Sequence, residues 1–72
     1  MKYLISKRLS NKDAKKFMRE HEGCRFMYES LLWAPIVESL PADIDAIVCY
    51  QDDAEEYGKF DKKIITVKAL NS

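Results

Sequence analysis

Residues 10–23 of the chain are SNKDAKKFMREHEG, and this stretch predicts an amphipathic helix over residues 11–22. At 100° per residue, its apolar side chains fall on one face with the i, i+3, i+4, i+7 spacing of a core-facing stripe. That face carries Ala14, Phe17, Met18 and His21. The opposite face carries Lys12, Lys15, Lys16 and Arg19. The two faces predict a helix that packs on a sheet and presents cations to solvent.

The two ends of this helix carry their own signals. The hydroxyl of Ser10 can accept a hydrogen bond from a free N–H group of the first turn, so Ser10 is the predicted N-cap. Asp13 lies in that first turn, where the helix dipole favours a negative charge. Gly23 can adopt the left-handed conformation with which many helices end.

Strands are predicted where short β-forming apolar stretches occur. These stretches are residues 2–9, 24–29, 46–50 and 64–67. Residues 24–33 leave strand and helix open, because alternation at 24–28 is followed by helix-favouring residues. Proline at 35 and at 41 predicts a short helix over 34–40. Residues 51–63 predict a polar loop.

That loop has room for one helical turn, capped by Asp52 or Asp53 and ended by Gly58. The simplest interpretation of the C-terminal half is therefore two antiparallel strands joined by residues 51–63. The predicted fold is a single α+β domain over 1–72. Its three- to four-stranded, mainly antiparallel sheet carries the helix at 11–22 and the short helix at 34–40. The strand order is left open.

Composition places the chain among globular proteins. It has 72 residues, of which 47% are hydrophobic and 33% charged. No apolar stretch is long enough for a membrane span or a signal peptide, so a cytoplasmic protein without membrane contact is expected. Two cysteines and one histidine cannot complete a structural zinc site or a disulfide framework, and no metal or cofactor is predicted.

Charge is unevenly distributed along a chain of net charge zero. Residues 1–27 carry eight Lys/Arg and three Asp/Glu, a net charge of +5, and residues 28–72 carry four against nine, a net of −5. This asymmetry predicts a dipolar surface if the two halves do not neutralise each other.

The first functional hypothesis is a non-enzymatic protein-interaction module, such as an inhibitor, adaptor or regulatory protein. Eight aromatic residues exceed what so small a core can bury, and exposed Tyr and Trp anchor interfaces well. An acidic run adds charge complementarity. The predicted protein-binding residues are Trp33, Asp52, Asp53, Glu55, Glu56, Tyr57 and Phe60. The basic face of the helix is the alternative contact surface, because it could dock on an acidic surface of another protein. Another protein is the expected partner, and self-association through opposite charges or sheet edges is an alternative.

The alternative function is nucleic-acid binding by the basic residues of the N-terminal third, because cations at helical spacing can follow a phosphate backbone. These residues are Lys7, Arg8, Lys12, Lys15, Lys16 and Arg19. A pI near 6.6 and the single arginine within the helix stripe argue against specific recognition. A catalytic pair of His21 and Cys24 is a weaker idea, because a histidine on an apolar helix face usually packs in the core. No catalytic residue is assigned.

Overall fold

The computed structural model describes residues 1–31 and 40–69. The strands are β1 (Lys2–Ile5), β2 (Arg25–Tyr28), β3 (Ala46–Tyr50) and β4 (Lys63–Val67), and the helices are α1 (Asn11–Glu20) and α2 (Ala54–Tyr57). Short 3₁₀ turns occupy Glu29–Leu31, Gln51–Asp53 and Gly58–Phe60. The helix predicted at 34–40 lies, apart from Leu40, outside the described residues. No helix in these ranges is long and apolar enough to cross a membrane.

The sheet is parallel throughout, with the strand order β2-β1-β3-β4. The prediction of an α+β domain with a mainly antiparallel sheet is therefore wrong, because an all-parallel sheet with helices on its faces is an α/β architecture. Residues 51–62, predicted as part of a loop between antiparallel strands, contain α2 and return the chain to the start of the sheet. A parallel connection needs about a dozen residues, and this segment supplies them. The composition of a strand does not distinguish parallel from antiparallel pairing. The direction of β4 therefore depends on the path of residues 51–62.

One helix covers each face of the sheet. Alternate residues of a strand point to opposite faces, so Tyr3 and Ile5 pack with Phe17 of α1, whereas Leu4 packs with Tyr57 of α2 on the second face. The first four residues of β3 are buried on both faces, as expected for a central strand of a parallel sheet.

The predicted start of α1 is confirmed, and its predicted end is two residues too late. The N–H of Asp13 donates to Oγ of Ser10 at 3.2 Å, so Ser10 is the N-cap. The helix ends at Glu20, with His21 as the C-cap residue. Gly23 has the predicted left-handed conformation, φ +88°, and lets the chain turn into β2.

The two glycines are expected to respond to alanine with opposite signs. A Cβ at Gly23 meets no atom within 4 Å, but its φ of +88° strains an L-residue, so Gly23→Ala should lower the free energy of unfolding by about 1 kcal/mol. A Cβ at Gly58 also meets no atom within 4 Å, and the φ of Gly58, −63°, suits an L-residue. Gly58→Ala should therefore raise the free energy of unfolding by about 0.4–1 kcal/mol. Urea unfolding followed by circular dichroism measures both. Equal signs for the two variants would contradict the backbone argument.

Candidate protein-binding surface

The carboxyl ends of β1 and β3 lie side by side at one edge of the sheet. In open parallel sheets, ligands bind where two neighbouring strands send their connections to opposite faces. Here β1 leads into α1 on the first face, and β3 leads into α2 on the second. The edge between them is formed by residues that follow directly on each strand.

A hydrogen-bonded chain of three side chains fills this edge. The hydroxyl of Tyr57 donates to Oε1 of Glu29 at 2.6 Å. Its single proton is thereby used, so Ser6 is the donor in the 2.9 Å bond between Oγ of Ser6 and the Tyr57 hydroxyl. The N–H of Arg8 donates to Oγ of Ser6, and the N–H of Lys7 donates to Oε1 of Glu29. The chain joins the ends of β1 and β2 to α2.

A second set of bonds occupies the N-terminus of α1. The Tyr50 hydroxyl accepts from the N–H of Ser10 at 3.0 Å and donates to Oδ2 of Asp13 at 2.5 Å. Asp13 is only 5% exposed and brings a carboxylate to the end of the helix that would attract an anion. The position where a phosphate group would bind is therefore taken by the protein's own side chains.

Arg8 connects the basic and acidic halves of the chain. Its guanidinium pairs with Asp53 at 3.2 Å and with Glu56, and these hydrogen bonds raise the pKa of Arg8. At the opposite end of the sheet, Nζ of Lys2 lies 2.7 Å from a carboxylate oxygen of Asp43, and this bond lowers the pKa of that carboxyl. The two halves therefore neutralise each other in part.

The residues predicted for protein binding do not form one exposed surface. Tyr57 is only 2% exposed, so the expectation that it is a surface anchor is wrong: its ring fills the core beneath α2. Phe60 is half-buried, with Nζ of Lys59 5.4 Å from its ring centroid. Asp52 and Glu55 are exposed. Trp33 lies outside the described residues.

The outer face of α1 keeps all its predicted cations exposed. We call Lys12, Lys15, Lys16 and Arg19 the basic face. None of the four forms an ion pair with another residue in the described ranges. Met18 is half-buried at the margin of this face, and the aliphatic stems of neighbouring lysines extend its apolar area. Of the predicted cations outside α1, Lys7 is exposed and Arg8 is paired.

His21 and Cys24 show packing rather than a reactive pair. Nδ1 of His21 donates to the carbonyl oxygen of Phe17 at 2.8 Å, and the two rings stack with centroids 3.9 Å apart. Cys24 is a half-buried free thiol, and Cys49 is a buried one whose pKa is raised by burial. Within residues 1–31 and 40–69, no three His, Cys, Asp or Glu side chains group to hold a metal ion.

The side chains at the carboxyl edge were missed in the sequence because their partners are distant along the chain. Ser6 and Tyr57 are separated by 51 positions, and Asp13 and Tyr50 by 37. Only the parallel topology indicates that residues following β1 and β3 meet. No known protein family, curated protein or solved structure matches this chain.

Proposed function

We propose that this protein is a non-enzymatic interaction module, an inhibitor, adaptor or regulatory protein, that binds an acidic surface of a partner protein through the basic face. The observation that supports this is the contrast between the cations. Arg8 and Lys2 are paired within the chain, whereas the four side chains of the basic face remain exposed and unpaired among the described residues.

The composition of the basic face favours a protein partner over a nucleic acid. Three of its four cations are lysines, and only Arg19 offers the planar fork that suits phosphate. Met18 at its margin adds a flexible apolar side chain, a residue type enriched in protein interfaces. A net charge of zero also gives little long-range attraction to a polyanion.

The side chains at the carboxyl edge of the sheet support a non-enzymatic role. Ser6 and Asp13 are almost completely buried, and the hydroxyls of Tyr57 and Tyr50 are bonded to carboxylates of the same chain. These groups therefore have hydrogen-bond partners within the fold, which supports a non-enzymatic role.

A charge-reversed pair of variants tests this proposal. Lys12→Glu/Lys15→Glu reverses half of the basic face, and the added carboxylates lie near the N-terminus of α1, where the helix dipole favours them. Lys59→Glu/Lys63→Glu is the matched control, with the same change of charge at two exposed residues elsewhere. We expect the first variant to lose at least tenfold in affinity for the partner and the control to keep it.

The partner is first identified by affinity capture of tagged protein from a native lysate, with and without nuclease treatment. Binding of the purified partner is then measured for the three proteins at two salt concentrations, since an interface of exposed charges weakens with salt. A partner that binds both variants equally well would remove the basic face from the proposal. Nucleic acid that co-purifies and disappears with nuclease would instead support the alternative function, nucleic-acid binding.

A further inference from the structure

Within residues 1–31 and 40–69, no strand pairs with the outer edge of β2, which is an edge strand of the four-stranded sheet. The N–H of Arg25 donates to the carbonyl oxygen of Met1 at 3.0 Å, so the backbone of Arg25 points towards β1. Backbone groups of successive strand residues point to alternate sides, so those of Phe26 and Tyr28 point away from the sheet. We propose that β2 pairs with β2 of a second copy in antiparallel orientation, around a two-fold axis at Met27.

The sequence of β2 is self-complementary in this register. Phe26 of one copy stands opposite Tyr28 of the other, and these residues are the ones whose N–H and C=O groups point outwards. Each such pair exchanges two backbone hydrogen bonds and sets two aromatic side chains side by side. Met27 stands opposite Met27 of the second copy on the axis itself. Arg25, the first residue of β2, lies near the end of β2 of the second copy, where Glu29 begins the following 3₁₀ turn, and symmetry repeats this pair of opposite charges.

The guanidinium of Arg25 and one carboxylate oxygen of Glu29 are both available for an ion pair between the two copies. Arg25 is exposed and forms no ion pair with another described residue. Glu29 follows directly on β2 and receives its two hydrogen bonds, from Tyr57 and from the N–H of Lys7, on Oε1. Its Oε2 can accept from the guanidinium of a second copy. Arg25 and Met27 point to the same face of the strand, and Met27 packs against the cluster that contains Tyr57. The Glu29 carboxylate accepts from Tyr57 and therefore lies on that face as well.

The other edge strand has charges that oppose the same kind of pairing. Antiparallel pairing of β4 about Ile65 would set Lys62 of one copy opposite Lys68 of the other, and like charges at such positions are destabilising. Lysines commonly protect sheet edges in this way. In the part of the chain that the structure describes, the β2 edge has no such pair of like charges, and Leu31, three residues after β2, is 74% exposed. The charges therefore favour a second copy at β2 over one at β4 paired about its central residue.

Pairing through β2 would also double the basic face. The proposed axis is perpendicular to the sheet, so the joined sheet keeps α1 of both copies on the same face. Two basic faces then lie on one side of the dimer, and a partner with two acidic segments would bind with increased avidity.

Sedimentation equilibrium of the full chain over a range of concentrations tests the dimer. We expect a monomer–dimer equilibrium that Arg25→Glu weakens at least tenfold, because two attractive pairs become repulsive. Lys63→Glu, the same change at the start of the other edge strand, should leave the equilibrium unchanged. Amide exchange supplies an independent readout: the N–H groups of Phe26 and Tyr28 should become protected as the concentration rises.

A charge exchange completes the test. In a mixture of Arg25→Glu with Glu29→Arg, each protein repels its own copies but complements the other, so a heterodimer should form. If Glu29→Arg fails to fold, the amide exchange of the wild-type protein decides alone. A monomer at all concentrations, or a dimer with unprotected Phe26 and Tyr28, would overturn the proposal. Loss of the dimer with retained partner binding would leave the proposed function intact.

Discussion

Replacing Phe17 with alanine is expected to lower the free energy of unfolding by about 3–5 kcal/mol, the range for a large aromatic side chain removed from a packed core. Phe17 is 4% exposed. Its ring meets that of Tyr3 edge to face with centroids 5.1 Å apart, and it stacks on His21. Small domains have only about 5–15 kcal/mol of stability, so this one change removes a large share of it.

The matched control is Met18→Ala, one position along the same helix. Met18 is half-buried, so truncating it removes less buried area and should cost about 1 kcal/mol. Urea unfolding followed by circular dichroism gives both values. Similar losses for the two variants would show that Phe17 does not anchor α1. Because Phe17 faces away from the basic face, binding by Phe17→Ala should be lost only in proportion to the unfolded fraction.

Replacing Tyr57 with phenylalanine is expected to lower the free energy of unfolding by about 1–3 kcal/mol, although it removes a single oxygen atom. The hydroxyl accepts from Ser6 and donates to Glu29, and Ser6 is 2% exposed. Without that oxygen, the buried Ser6 hydroxyl loses its acceptor, and an unsatisfied buried group costs free energy of this order.

A double-mutant cycle with Ser6→Ala isolates the bond between the two hydroxyls. We expect a coupling energy of about 0.5–3 kcal/mol, because both side chains belong to one network. Thermal and urea unfolding of the wild type, the two single variants and the double variant provide the four values. Purely additive losses would mean that the two side chains stabilise the fold independently.

The same side chain predicts how stability changes at alkaline pH. Burial, followed by the hydrogen bond to Glu29, raises the pKa of Tyr57 well above its ordinary value. In the unfolded chain this tyrosine ionises at about pH 10, so the unfolded state binds fewer protons above that pH. The contribution of Tyr57 to the free energy of unfolding should therefore be constant below about pH 10 and decrease as the pH rises further. Tyr57→Phe should show a shallower decrease than the wild type.

The sequence was most informative where local signals agree. The spacing of Ala14 and Phe17, the cap at Ser10 and the glycine at position 23 together predicted α1, its orientation and its basic outer face. All four predicted strand regions contain strands, because β-branched and aromatic side chains in short stretches favour them wherever they pair. These features depend on neighbours within a few positions of the chain.

The direction of the strands and the contacts between them depended on residues far apart in the chain. A strand such as Ile64–Val67 has the same composition in parallel and antiparallel sheets, so its direction depended on how residues 51–62 fold between β3 and β4. The burial of Tyr57 and the pairing of Arg8 with Asp53 and Glu56 follow from that topology. The sequence by itself determined α1, the positions of the four strands and the cations on the outer face of α1. Only the tertiary structure decided which charges neutralise each other and which remain exposed, because that depends on distances between segments that local propensity does not specify.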